Sequence, residues 1–300
     1  MEDKRRGALL GVTAYLIWGG AALYWVQTEP VSAADLVAHR VLWSLPVVVL
    51  CLFVAGSGRL GHAMALFRQP RTLAVMAGAA LFSSMNWTLF MWAVTNGRAT
   101  EASLGYFLLP LVNVLIGLTL FRESIDRAQK IGVAFAVAAV LLQLLYYGGL
   151  PLVSLGLALS FGLYGAIRKG VRVESMEGLL LEMSILAPLA LAWLVYHDGA
   201  GLGLYGIRVD LFLLGAGAFT AVPLMAYVAA SRILPLTALG LVFYIGPTAQ
   251  LVVAIWVFDE PFDTVRFIAF GLVWLGLIVV TVSNMRRAAA LRRYGSSAGP

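Results

Sequence analysis

The sequence predicts an all-α integral membrane protein of ten transmembrane helices, folded as two inverted five-helix repeats with both termini cytoplasmic. Three observations predict it. First, 61% of the 300 residues are hydrophobic and 12% are charged. Soluble domains hold about 45–50% apolar and about 25% charged residues. Second, ten apolar runs have the length needed to cross hydrocarbon. Third, a Pro-Glu-Asp pattern in the fourth run recurs in the ninth.

The runs fall near 7–26, 36–55, 72–94, 101–121, 127–146, 150–168, 178–196, 210–231, 236–257 and 263–283. The first follows the basic stretch MEDKRRG. No small-x-small cleavage site comes after it, so it reads as a retained helix and not a signal peptide. The second carries His39 and Arg40 about one turn inside apolar sequence. The third holds Asn86, Trp87 and Trp92. The fourth opens at Glu101 and contains Pro110. Glu123 and Asp126 precede the fifth, and Glu260 and Asp263 precede the tenth, where each carboxylate suits a helix start. The sixth contains Ser160 and Tyr164, the seventh Glu182 and Pro188, and the ninth Tyr244, Pro247 and Gln250. Residues 284–300 form a basic, then polar tail expected to fray at the inner face.

Basic residues orient the chain, because cytoplasmic loops concentrate Lys and Arg. With the amino terminus inside, only Arg40, Arg98, Arg208 and Arg266 of the 21 Lys and Arg fall on the outer side. Both ends are then cytoplasmic, as an even number of spans requires. Four tryptophans, Trp25, Trp92, Trp193 and Trp256, lie near outer helix ends, as an aromatic belt would place them.

The internal repeat sets the domain organisation. Pro110-x12-Glu123-x2-Asp126 returns as Pro247-x12-Glu260-x2-Asp263, at one offset of 137. Asn113 lands on Gln250 at that offset. The chain divides into halves at 7–146 and 150–283. Each half has five spans, an odd number, so the second inserts upside down. Such repeats are a hallmark of secondary transporters, whose sites lie near the midplane between the halves. Aligning Pro46 with Pro188 sets LVAHRVLWSLP over GLLLEMSILAP, and Arg40 over Glu182.

Those two charges are the leading candidates for function. A charge at the bilayer centre costs about 2.5–3.5 kcal/mol on insertion scales. Arg40 paired with Glu101 would offset it, and Glu182 paired with Arg232 or Arg168 would mirror that pair, giving an outer and an inner gate latch. Snorkelling of Arg40 to the headgroups is the competing reading. His39 either carries a proton or donates one hydrogen bond. Trp43 follows it by one turn. Tyr15, Trp18, Trp43, Asn86, Trp87, Tyr106, Asn113, Tyr164, Tyr244 and Gln250 complete a set that would line an apolar, aromatic cavity with a few amides and hydroxyls. Such a lining suits an amphipathic organic solute. For any one of these aromatics, helix packing is the alternative.

Other classes find little support. No Walker loop, zinc-finger spacing or basic patch interleaved with aromatics occurs, so neither ATP hydrolysis nor nucleic-acid binding is expected. His39, His62 and His197 are dispersed, and no H-E-x-x-H or G-x-S-x-G appears. An enzyme, a metal site and a cofactor are not expected. Cys51 stands alone and can form no intrachain disulfide.

The segments AHRVLWS (38–44), NWTLFMWAVTNGRATEASLGYFLLPLVN (86–113) and YIGPT (244–248) resemble the EamA-type drug/metabolite transporters, and within them the RarD branch. The resemblance spans 7–283. It implies a multi-pass transporter of the bacterial inner (plasma) membrane with inward-facing termini, and assigns no catalytic residue. The expectation is a secondary transporter, an exporter of a small organic metabolite or drug working by alternating access, with proton coupling or exchange both open. A channel or a receptor-like membrane scaffold is the alternative. The expected partners are the lipid bilayer, a small-molecule substrate and, compatibly, a second copy in a homodimer.

Overall fold

The computed structural model describes residues 2–197, 201–234 and 236–296, and those residues are helical wherever they are regular. The helices are α1 (Glu2–Gly19), α2 (Ala21–Trp25), α3 (Ala33–Val54), α4 (Ser57–Leu66), α5 (Pro70–Thr95), α6 (Ala99–Thr119) and α7 (Arg127–Tyr147). They continue with α8 (Leu152–Lys169), α9 (Ser175–Tyr196), α10 (Ile207–Ile233), α11 (Leu236–Phe243), α12 (Ile245–Trp256) and α13 (Thr264–Ser296). Among the described residues, eight are long and apolar enough to cross a membrane: α3, α5 to α10, and α13 up to Arg287. A ninth arises if α1 and α2 count as one span bent by 47°.

Three features differ from the sequence expectation. The run at 7–26 is broken after Gly19, and the run at 236–257 is broken at Tyr244 into α11 and α12. A periodicity reading misses both breaks because the composition on either side is equally apolar. The short helix α4 occupies what reads as a loop. The tail does not start fraying at 284: α13 runs on through Ser296, and residues 297–300 lie outside the described part.

Helix starts follow local chemistry. Ser32 caps α3 by accepting the Asp35 amide at 3.2 Å. Asp126 and Gln129 form a reciprocal capping box on α7, with bonds of 2.8 and 2.9 Å, which satisfies two otherwise orphaned amides. The loop before α7 and the loop before α13 have the same construction, 137 residues apart. The Glu123 amide donates to the Gly117 carbonyl at 2.9 Å, and the Glu260 amide to the Ala254 carbonyl at 3.0 Å. Arg122 and Asp259 hold positive φ, 52° and 50°, and among the described residues no other non-glycine does. Asp263 accepts the Arg266 amide as Asp126 accepts that of Gln129.

Among the described spans α6 is the most deeply buried, followed by α3. The α3 helix lies against α5, α9 and α10. The α1 helix packs on α10 and α12, and α8 packs on α5 and α6. The pair α7 and α13 packs along its length. At Gly217, α10 comes so close to α3 that a Cβ would collide with the Trp43 carbonyl. Leu145, Leu189 and Val195 lie outward and exposed, as lipid-facing side chains do. Trp25 departs from the expected aromatic belt: it is fully buried in the core, against Tyr24 and Phe219.

Candidate functional site

The α3 helix delivers Arg40 into the bundle. The side chain is 3% exposed, so the snorkelling geometry is not adopted. Its Nε donates to Thr220 Oγ1 on α10 at 3.0 Å. Its guanidinium lies 3.8 Å from the ring centre of Trp87 on α5, a desolvated cation–π contact worth about 2 kcal/mol. The Thr220 hydroxyl itself donates to the Ala216 carbonyl at 2.9 Å, which leaves its lone pairs for Arg40. Among the described residues no carboxylate forms an ion pair with Arg40.

Glu182, 1% exposed, stands on α9 within electrostatic range of Arg40. Arg168 of α8 approaches it to 3.8 Å, and Tyr164 turns its hydroxyl toward it. Gly178, one turn before Glu182, makes room for Arg168: a Cβ there would overlap the guanidinium. Arg168 also donates to the Val173 carbonyl at 3.4 Å.

Beside Arg40 runs a chain of neutral groups. The Tyr106 hydroxyl donates to Asn86 Oδ1 at 3.1 Å. Asn86 Nδ2 donates to the Leu157 carbonyl and to Ser160 Oγ, each at 3.0 Å. Tyr106 contacts Phe90 and Phe161, and Phe161 contacts Tyr164. The structure thus gathers six expected residues, Arg40, Trp87, Asn86, Tyr106, Tyr164 and Glu182, around the α3, α5, α6, α8 and α9 helices.

The other expected residues distribute differently. Tyr15, Trp18 and Tyr244 belong to a second aromatic cluster with Tyr227 and Phe243, centred on the breaks in α1/α2 and α11/α12. Tyr15 lies 5.3 Å from Trp18 and 5.6 Å from Phe243, ring centre to ring centre. Gln250 is buried nearby on α12, its Nε2 without a hydrogen-bond partner among the described residues. Asn113 is exposed on α6, close to Gly162. His39 is buried, and its Nδ1 accepts from Trp43 Nε1 at 3.3 Å.

One expected pairing is corrected, and of the two partners expected for Glu182 one is found. Glu101 does not take Arg40. It forms a two-pronged pair with Arg98, at 2.7 and 2.9 Å. Arg98 lies three residues earlier and reaches it at the helix start, whereas Arg40 is held by Thr220 and Trp87 on other helices. Glu182 takes Arg168, and not Arg232, which is exposed at the end of α10 and reaches Glu174 at 3.5 Å. Glu174 also binds Arg59 at 3.2 Å.

Glu260 has a role that its position before α13 did not reveal. It is buried, and its two oxygens accept the amides of Ala99 and Thr100, the latter at 2.7 Å. It therefore caps α6, a helix far from it in the chain. Its counterpart Glu123 is half-exposed and pairs with Lys169 at 2.8 Å. Thr220 was also missed. A hydroxyl that bonds its own helix four residues back gives no sequence signal. Asp263, at the exposed start of α13, accepts the Tyr147 hydroxyl at 2.5 Å. That bond, followed by the Arg266 amide, holds its carboxyl below the usual range.

A bundle of long apolar helices around a buried polar cluster defines a multi-pass membrane protein. The model of the EamA-like transporter family matches residues 5–145. An uncharacterized transporter of Pseudomonas aeruginosa is 40% identical over 98% of this chain and 99% of its own. Protein RarD of Escherichia coli is 36% identical over 93% and 94%. The chloramphenicol-sensitive protein RarD of Pseudomonas aeruginosa is 32% identical over 98% and 100%. A crystal structure with 22% identity shares the fold at a TM-score of 0.61, covering 92% of this chain and 97% of that one. The chain belongs to the RarD-type branch of the EamA-like transporter family.

Proposed function

We propose that the protein is a secondary transporter that exports a small organic metabolite or drug across the bacterial inner membrane by alternating access. In this reading the halves 7–146 and 150–283 are inverted repeats, and the termini are cytoplasmic. The matched loops before α7 and α13 support the repeat. So does the packing, in which α1 meets α10 and α12 as α8 meets α5 and α6.

The observation that carries the reading is the cluster of buried Arg40 and Glu182 with partly buried Arg168. It holds two guanidiniums and one carboxylate. A buried charge without a partner costs several kcal/mol, on the order of 3–5 when one member of a pair is missing. An anionic group on the solute, a carboxylate above all, would offset Arg40. Its apolar body would lie on Trp87, Phe90 and Tyr106. Glu182, within range of Arg40, is the group through which a proton or an exchanged solute would couple.

Flux in proteoliposomes tests this. A panel of metabolites and drugs is offered with and without a pH gradient, in wild type and Arg40→Gln. The expected result is saturable, trans-stimulated flux of an anionic solute, reduced at least tenfold in the variant. Unsaturable flux, or neutral and cationic solutes carried equally well by Arg40→Gln, would overturn the reading.

A further inference from the structure

The α7 and α13 helices pack antiparallel, and at each helix start an aspartate contacts the other helix, Asp126 reaching Arg287 in the last third of α13 and Asp263 reaching Tyr147 at the end of α7. At one end Asp126 meets Arg287 at 2.7 Å. At the other, Asp263 meets Tyr147 at 2.5 Å. The two ends differ in charge. Arg127, Lys130, Arg286 and Arg287 surround the first against the single carboxylate Asp126, which Arg287 already engages. Arg266 is the cation in contact with the second among the described residues.

At the basic end lies a groove of about 870 Å³ between the two helices. Its wall toward the bundle's middle is apolar, formed by Ile131, Ile278 and Val282. All three side chains are exposed, as are the four cations. From Arg286 back to Ile278 is eight residues of helix, about 12 Å at 1.5 Å per residue. Cations at the end of membrane-spanning helices and an apolar channel leading inward match the two parts of a phospholipid. Basic pockets between such helices bind anionic head groups.

We propose that this groove is a binding site for an anionic diacyl phospholipid. The phosphate sits among Arg127, Lys130 and Arg286, and one acyl chain lies along Ile131, Ile278 and Val282. A zwitterionic lipid would bring its own ammonium beside these cations, so a head group with uncompensated negative charge is preferred. The site needs only the membrane residence of the chain, and stands whatever the transported solute is.

Native mass spectrometry of the full-length protein, released from vesicles of equal phosphatidylglycerol and phosphatidylcholine, tests it. Wild type is expected to retain phosphatidylglycerol in preference. Lys130→Gln/Arg286→Gln is expected to lose that preference about tenfold, and Arg266→Gln, at the other end of the same helix pair, to keep it. Equal retention of both lipids by wild type would overturn the proposal without any variant. So would displacement of the lipid by millimolar glycerol phosphate, which would mean a free-anion site. So would a disulfide-linked dimer formed efficiently by Val282→Cys in a Cys51→Ser background in the same vesicles, which would mean that a second copy occupies the groove.

Discussion

At the scale of single residues, Arg40 does not behave as an interchangeable positive charge. Its Nε bonds Thr220, and its flat guanidinium lies against Trp87. Lysine keeps the charge but can neither stack in this way nor present a fork. Arg40→Lys is therefore expected to lower the initial rate of solute flux at least tenfold, with most of the loss in apparent affinity. Thr220→Val, which removes only the acceptor and keeps the shape, is expected to lower it a few-fold. Initial rates across a range of solute concentration check both, and an Arg40→Lys protein with wild-type kinetics would remove Arg40 from the site. Arg40 was legible in the sequence because a charge inside an apolar run must be explained. Its neighbours Asn86, Trp87 and Tyr106 were legible as polar or aromatic residues in spans. Its partner was not. Glu101 and Glu182 were both visible as carboxylates, yet choosing among Arg40, Arg98, Arg168 and Arg232 required helix neighbours that spacing alone does not supply.

At the scale of elements, two glycines decide how closely helices approach. Gly217 faces the Trp43 carbonyl, and a methyl group there would force α10 away from α3. Overpacking of this kind costs about 1–3 kcal/mol. Gly217→Ala is expected to lower the thermal midpoint in detergent by several degrees, while Gly271→Ala, where a Cβ meets nothing within 4 Å, leaves it unchanged. Gly178→Ala acts on chemistry as well as on stability. It would push Arg168 off Glu182 and strand a buried carboxylate, so flux should fall several-fold and lose its dependence on the pH gradient if Glu182 couples transport. Equal flux and equal pH dependence in Gly178→Ala would show that the Arg168–Glu182 contact does nothing. Seven of the ten expected runs became single helices with ends within a few residues of those read from hydropathy, and the tenth became a single helix that starts at Thr264 but runs well past 283 to Ser296. The two that broke, at Gly19 and at Tyr244, did so where α1 crosses α12. There a Cβ on Gly19 would overlap Ala249 and the Gly246 carbonyl. Breaks of this kind depend on tertiary crossing, which leaves no mark in apolar periodicity.

At the scale of the whole molecule, the offset of 137 residues was legible as a motif and reappears as backbone geometry in two loops. What the motif did not disclose is that the two loops are engaged differently. Glu260 holds the first amides of α6 and is buried, whereas Glu123 is half-exposed on Lys169. A carboxylate on a helix start gains from two charge-assisted bonds and from the helix dipole. Under the proposed alternating access, this asymmetry predicts that the end at Glu260 is the closed one. Glu260→Gln keeps the shape but retains a single acceptor oxygen and no charge, so it is expected to loosen that end. Ser103, buried on α6 and bonded to the Pro247 carbonyl at 2.9 Å, lies one turn further in and reports on it. With Ser103→Cys in a Cys51→Ser background, a membrane-impermeant maleimide added from the Glu260 side should label the protein slowly. Adding Glu260→Gln should speed labelling several-fold and reduce flux, whereas Glu123→Gln should not speed labelling from that side. If Glu260→Gln leaves labelling unchanged, Glu260 is a structural cap of α6 and the closure of that end lies elsewhere.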